Sequence, residues 1–268
     1  MGGPYGILQE CKKIVVKIGS SSLTYDTGLI NMRRIESLCK LLSDIHNSGK
    51  QVILVSSGAI AVGTAKLGLR VYPKTTAERQ AAAAVGQSEL MYLYDKFFSE
   101  YNHKIAQVLL TREDIENPKR KHNVENTFSQ LQQWGAIPIV NENDTVSVEE
   151  IEIGDNDTLS AIVASLTQAD GLILMSDIDG LYDANPNTDP TAKLIPVVEK
   201  IDESIERMAG GAGTKVGTGG MATKIAAAKI ATKAGCAMCI MNSNDLSKIY
   251  DLLDGKQVGT LFLPSKEA

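Results

Sequence analysis

Short apolar runs alternate along this chain with longer amphipathic stretches, the pattern of buried parallel strands joined by helical crossovers. The runs at residues 14–18, 52–55, 105–109, 137–140, 172–175, 237–241 and 260–263 read as strands. Between the first two, Ile35, Leu38, Cys39, Leu42 and Ile45 recur at helical spacing, which predicts a helix over 31–48 that stops at Gly49. Further helices are predicted over 76–101, which holds a run of alanines, and over 123–134, 158–167 and 221–234. The alternation in VSVEEIEIG breaks this rhythm and predicts a hairpin or flap within 141–154. Residues 176–191, rich in Asp, Asn, Pro and Gly, read as a long loop. The order of elements implies an α/β fold on a largely parallel sheet.

Ligands of an open parallel sheet bind beyond the carboxyl ends of its strands. Those positions share a polar character here. Gly19-Ser20-Ser21-Ser22 follows the first strand, Ser56-Ser57-Gly58-Ala59 the second, Asn141-Glu142-Asn143-Asp144 the fourth and Ser176-Asp177 the fifth. Any one of these clusters is an ordinary turn; together on one sheet edge they predict a site.

The common phosphate signatures narrow the chemistry. Neither Gly49-Lys50 nor Gly255-Lys256 has the glycine before it or the hydroxyl residue after it that a Walker loop requires. Gly217, Gly219 and Ala222 match the dinucleotide fingerprint formally, but no strand precedes them. The segment GGAGTKVGTGGMATK nevertheless suits an anion, because its glycines can turn backbone N–H groups toward a ligand at the start of the 221–234 helix. Lys224 falls in that helix's first turn, where a cation is unfavourable by ~0.3 to 1 kcal/mol. It therefore either points to solvent from a flexible loop or faces an anion. Lys17 stands near the end of a strand otherwise written in Ile and Val; it is either an edge lysine reaching for water or a cation for an oxyanion in transfer. In Gly154-Asp155-Asn156-Asp157 one residue suffices to cap the following helix, and an acidic side chain left over could hold two lysines in place.

Composition changes little in this picture. Of 268 residues 43% are apolar, and 27 Lys and Arg stand against 32 Asp and Glu, a net charge of −5. That balance argues against nucleic acid or an anionic membrane as the main partner, since the one basic run, Lys119 to Lys121, is short. The uncharged stretch 51–65 contains Ser56 and Ser57 and falls short of the roughly 20 apolar residues of a membrane span. The start of the chain shows no secretory signal, so a cytoplasmic location is expected. Cys236 and Cys239 have the C-x-x-C spacing but lie in an apolar run without a second ligand pair, which predicts packing over metal or redox work.

Several segments resemble the amino-acid kinases, and within them the glutamate 5-kinases. They are VVKIGSSSL at 15–23, VSSGAIAVG at 55–63, AAVGQSELM at 83–91, LLTRED at 109–114, NENDTV at 141–146, GDNDTLSA at 154–161 and GTGGMATK at 217–224. The resemblance implies a three-layer α/β/α sandwich on a mostly parallel central sheet, with a glutamate lobe over about 1–168 and a nucleotide lobe over about 169–268. It implies transfer of the γ-phosphoryl of ATP, bound with Mg²⁺, to the side-chain carboxylate of L-glutamate, the first step of proline biosynthesis. Carried over by residue, Lys17 and Lys224 match the lysines that neutralise the transferring group, and Asp157 the carboxylate that organises them. Ser57, Asp144 and Asn156 match the glutamate positions. Lys17, Ser176, Asp177, Thr218, Gly219, Gly220, Met221, Ala222, Thr223 and Lys224 match the ATP positions. The resemblance further implies inhibition by proline, a homo-oligomer of dimers or tetramers, and hand-off of the product to glutamyl phosphate reductase. Many relatives continue into a PUA domain, whereas this sequence stops at Ala268.

A carboxylate acceptor, with an unperturbed pKa of about 4.3, is already ionised at neutral pH and needs no general base. Accordingly His46, His103 and His122 all fall outside these motifs. Two rival readings keep the same fold. One is a family member acting on another acid; against it, the first loop reads KIGSSS where aspartate kinases have KFGGTS, and no HGGG-like loop of acetylglutamate kinases occurs. The other is a catalytically silent amino-acid or nucleotide sensor.

Overall fold

The computed structural model describes residues 3–25, 27–146, 155–186, 188–210 and 220–265. The chain runs α1 (Gly6–Gln9), β1 (Lys13–Ile18), α2 (Ser20–Leu23), α3 (Met32–Asn47), β2 (Gln51–Ser56), α4 (Ala59–Lys66), α5 (Thr76–Glu100), β3 (Ile105–Leu110), α6 (Arg112–Glu116), α7 (Pro118–Gln133) and β4 (Ile137–Glu142). It continues with α8 (Asn156–Leu166), β5 (Gly171–Ser176), β6 (Val197–Val198), α9 (Glu203–Met208), α10 (Met221–Lys233), β7 (Ala237–Asn242), α11 (Lys248–Leu253) and β8 (Thr260–Phe262). Contacts divide it into two compact units, one of residues 18–156 and one of residues 1–17 with 157–268.

In the unit of residues 18–156, β4 lies between β3 and β2 and pairs in parallel with both, Val140 opposite Val108 and Val55. Every residue of β4 is buried, and β2 is buried from Val52 onward, which is why these strands read as unbroken apolar runs. The α3 helix turns Ile35, Leu38, Cys39, Leu42 and Ile45 inward, and its N-cap Asn31 accepts a hydrogen bond from the Arg34 amide at 3.1 Å. The α5 helix opens on a capping box between Thr75 and Glu78. It then packs on α4 so closely that a Cβ on Gly86 would collide with the Ala59 carbonyl, and one on Gly63 with the Ala82 carbonyl.

In the unit of residues 1–17 and 157–268, β1 neighbours β5, β5 pairs in parallel with β7, β7 in antiparallel with β8, and β8 in parallel with β6. The strand β5 is buried throughout, and α10 packs against β7. Asp170 fixes the start of β1 by accepting from the Lys12 and Lys13 amides, each at 2.8 Å. Both Cys236 and Cys239 are buried free thiols with their ionisation suppressed by burial, as expected for packing residues.

All the strands expected from periodicity are present, in a mostly parallel α/β arrangement with flanking helices. One helix begins earlier than the pattern predicts: α7 starts at Pro118, capped by Asn117, because its first turns are polar and exposed and Phe128 is its buried anchor. The flap expected within 141–154 falls, beyond Val146, outside the described residues, as do residues 211–219 of the glycine-rich segment, including Thr218 and Gly219. Among the described residues, no helix is long and apolar enough to cross a membrane.

Candidate active site

Lys17 is the fifth residue of β1, inside a run of buried apolar positions, and is itself only 8% exposed. It is therefore not an edge lysine reaching for water. Its Nζ lies 2.6 Å from Oδ1 of Asp157, the second residue of α8. Lys224, in the first turn of α10, donates from Nζ to the other oxygen, Oδ2, at 3.0 Å. Of the two orientations open to this lysine, it takes the inward one, at 3% exposure. Thr223 hydroxyl, donating to the Gly220 carbonyl at 2.7 Å, lies 3.4 Å from the same Oδ2. Gly220 and Ala222 are exposed, and Met221 is half-buried.

The electrostatics follow from burial. Desolvation alone would raise the Asp157 carboxyl above the ordinary range, but attraction to Lys17 and Lys224, with their hydrogen bonds, outweighs it and holds the group below. An ion pair at such distances gains ~4 kcal/mol at an effective dielectric near 20, against a desolvation cost of several kcal/mol per ion. The triad is thus a poor device for stability. Among these three side chains one carboxylate stands between two ammoniums, a surplus of positive charge of the kind that suits an anion.

Ser176 closes β5, buried, and donates to the exposed Asp177 carboxylate at 2.9 Å. Beyond the carboxyl ends of β5 and β7 a cavity of about 380 Å³ is lined by Asp179, Tyr182, Asn242, Lys256 and their neighbours. Asp179 accepts from Asn242 Nδ2 at 2.9 Å and from the Tyr182 hydroxyl at 3.1 Å. The sequence reading passed over these residues, although Asn242 closes the sixth predicted strand just as Ser176 closes the fifth.

The second cluster lies in the unit of residues 18–156. Asn156 Nδ2 donates to the Ser57 hydroxyl oxygen at 2.7 Å, to Asn141 Oδ1 at 2.9 Å and to the Ser56 carbonyl at 3.1 Å. Ser57 is positioned by its amide, which donates to the Ile18 carbonyl at 3.2 Å, and by Gly58, whose φ of +99° turns the chain into α4. Asp144 follows β4 by two residues, half-buried. Sequence reasoning selected Ser57, Asp144 and Asn156 but missed Asn141, whose place in the polar cluster after the fourth predicted strand was the available signal. It also missed Gln87 and Tyr94, buried polar groups of α5 that reach Asn141 and Ser56. Nothing in a helical pattern distinguishes them from packing residues.

The arrangement offers an anion site built on lysine and, on the other unit, a compact cluster of neutral donors and acceptors. A glutamate 5-kinase of Clostridium perfringens is 52% identical over 97% of this chain and 98% of its own length. A glutamate 5-kinase of Clostridium acetobutylicum is 54% identical over 97% of each chain. Among solved structures, a carbamate kinase from Giardia lamblia bound to AMP-PNP superposes with a TM-score of 0.66 at 16% identity, covering 96% of this chain and all of that one, a likeness of fold. The model of the amino acid kinase family matches residues 12–242, and the chain belongs to that family.

Proposed function

We propose that this chain transfers the γ-phosphoryl group of ATP to the side-chain carboxylate of L-glutamate, giving L-glutamyl 5-phosphate and ADP, the step that opens proline biosynthesis. The observation that carries this reading is the pair of buried lysines held on opposite oxygens of Asp157. The extent and identity of the match to glutamate 5-kinases support the choice of acid.

The chemistry asks for little besides position and charge. A glutamate carboxylate oxygen attacks the γ-phosphorus, the bond from that phosphorus to the bridging oxygen breaks, and its electron pair leaves with ADP. No proton moves. The difficulty is that one anion approaches another, and the transfer is eased by cancelling charge on the phosphoryl oxygens. Lys17 and Lys224 do this. An ammonium carries three donors, more than one carboxylate oxygen uses, and Asp157 keeps both lysines from turning away. Mg²⁺ enters on the nucleotide and neutralises its phosphates. Ser176 and Asp177, with residues 218–224, hold the nucleotide, and the cavity at Asp179, Tyr182 and Asn242 receives its base and ribose.

Glutamate binds through Ser57, Asp144 and Asn156: Asp144 and the Asn156 carbonyl oxygen take the α-ammonium, and Ser57 donates to the α-carboxylate. On this reading about 1–168 is the glutamate lobe and about 169–268 the nucleotide lobe, whereas the compact units comprise residues 18–156 and residues 1–17 with 157–268. Proline is expected to inhibit, a homo-oligomer to form, and the labile acyl phosphate to pass to a reductase, all in the cytoplasm. The test is ADP release with MgATP and glutamate, aspartate or acetylglutamate, trapping the product with hydroxylamine. Glutamate alone should give both ADP and hydroxamate. ADP release that ignores glutamate, or none at all from folded protein, contradicts the reading.

A further inference from the structure

We infer that Gln87 is a positioning residue for the amino-acid substrate, fixing which way the amide of Asn156 points; the inference rests on the glutamate reading above. Two backbone groups set the polarity of the network. The Ser56 carbonyl can only accept, so the atom 3.1 Å from it on Asn156 is the amide nitrogen, Nδ2. The Glu142 amide can only donate, so the atom of Asn141 that meets it at 2.9 Å is Oδ1. That same Oδ1 accepts from Asn156 Nδ2 at 2.9 Å. The remaining end of Asn141, Nδ2, donates to Gln87 Oε1 at 2.9 Å. Asn141 is 3% and Gln87 9% exposed, so water does not readily replace either partner.

The chain of donors and acceptors has one consequence at each end. With the two hydrogens of Asn156 Nδ2 shared among three acceptors, Oδ1 is the end it offers a ligand, and an oxygen acceptor suits an ammonium. Ser57, which accepts from Asn156 at 2.7 Å, keeps its hydroxyl hydrogen for an acceptor such as a carboxylate. If Gln87 loses its oxygen, Asn141 Nδ2 is left buried without a partner. Asn141 is then drawn to rotate, which puts its NH₂ against Asn156 Nδ2, donor against donor. Gln87 thus acts through two amides on the recognition of the α-ammonium and touches no substrate itself.

The test compares glutamate with glutarate, the same dicarboxylate without the amino group, on wild type and Gln87→Leu. Folding is checked by thermal melting. Gln87→Leu should raise KM for glutamate about tenfold, while the inhibition constant of glutarate, KM for ATP and kcat stay within twofold. Equal weakening of glutamate and glutarate, or an unchanged glutamate KM in the folded variant, overturns the inference. If Gln87→Leu does not fold, the same ratio is read on Gln87→Met, which keeps an unbranched side chain. A wild type that does not phosphorylate glutamate fails the functional reading instead, so the two failures are distinguishable.

Discussion

At the scale of single residues, the account turns on Asp157 and the lysines either side of it. The carboxylate is 1% exposed and anchors both ammoniums. Asp157→Asn should cost about 3–5 kcal/mol at neutral pH, the penalty of leaving buried charges uncompensated, and saturating MgATP should recover part of it by supplying anionic groups. Thermal melting with and without nucleotide reads both effects. The pH dependence has a definite sign. The folded carboxyl titrates below its ordinary value of 3.8, so its contribution is fully present above that value and is lost as pH falls through the lower folded one. Melting temperature followed from pH 5 downward through the folded titration should therefore fall more steeply for wild type than for Asp157→Asn at the acid end. Parallel curves there contradict the assignment.

At the scale of elements, α5 does more than its pattern discloses. Gly86 admits α4, Gln87 reaches Asn141, and Tyr94, fully buried, shares a hydrogen bond of 2.8 Å with Ser56. Gly86→Ala should force α4 and α5 apart at a cost of about 2–3 kcal/mol, seen as a lower melting temperature. It should also raise KM for glutamate more than KM for ATP, since α4 begins two residues after Ser57. An unchanged melting temperature and KM would show that the helices do not need this close approach. The sequence made the long elements legible because burial writes itself into apolar periodicity, as in α3, where Ile35 through Ile45 mark one face. It left α2, α4 and α11 invisible, for they are too short or too uniformly apolar to show a period. Lys17 and Lys224 were legible as misfits, a cation in an apolar strand and another at a helix N-terminus. Gln87 was not, because its meaning lies in a contact with a residue 54 positions away.

At the scale of the whole molecule, the two units carry complementary chemistry: neutral, directional hydrogen bonding around Asn156 in one, and net positive charge around Asp157 in the other. Asn156 and Asp157 are successive residues, so on the proposed reading a single peptide bond joins the residue assigned to the amino acid to the one assigned to the phosphoryl group. The most direct measurement is the rate of glutamate-dependent ADP release in wild type, Lys17→Met, Lys224→Met and the double variant, each shown to be folded. The account predicts that each single change lowers kcat by roughly 10²- to 10³-fold, the loss typical of one electrostatic donor at a reacting oxyanion, and that the double variant is slower still. A folded double variant that turns over at the wild-type rate would contradict it.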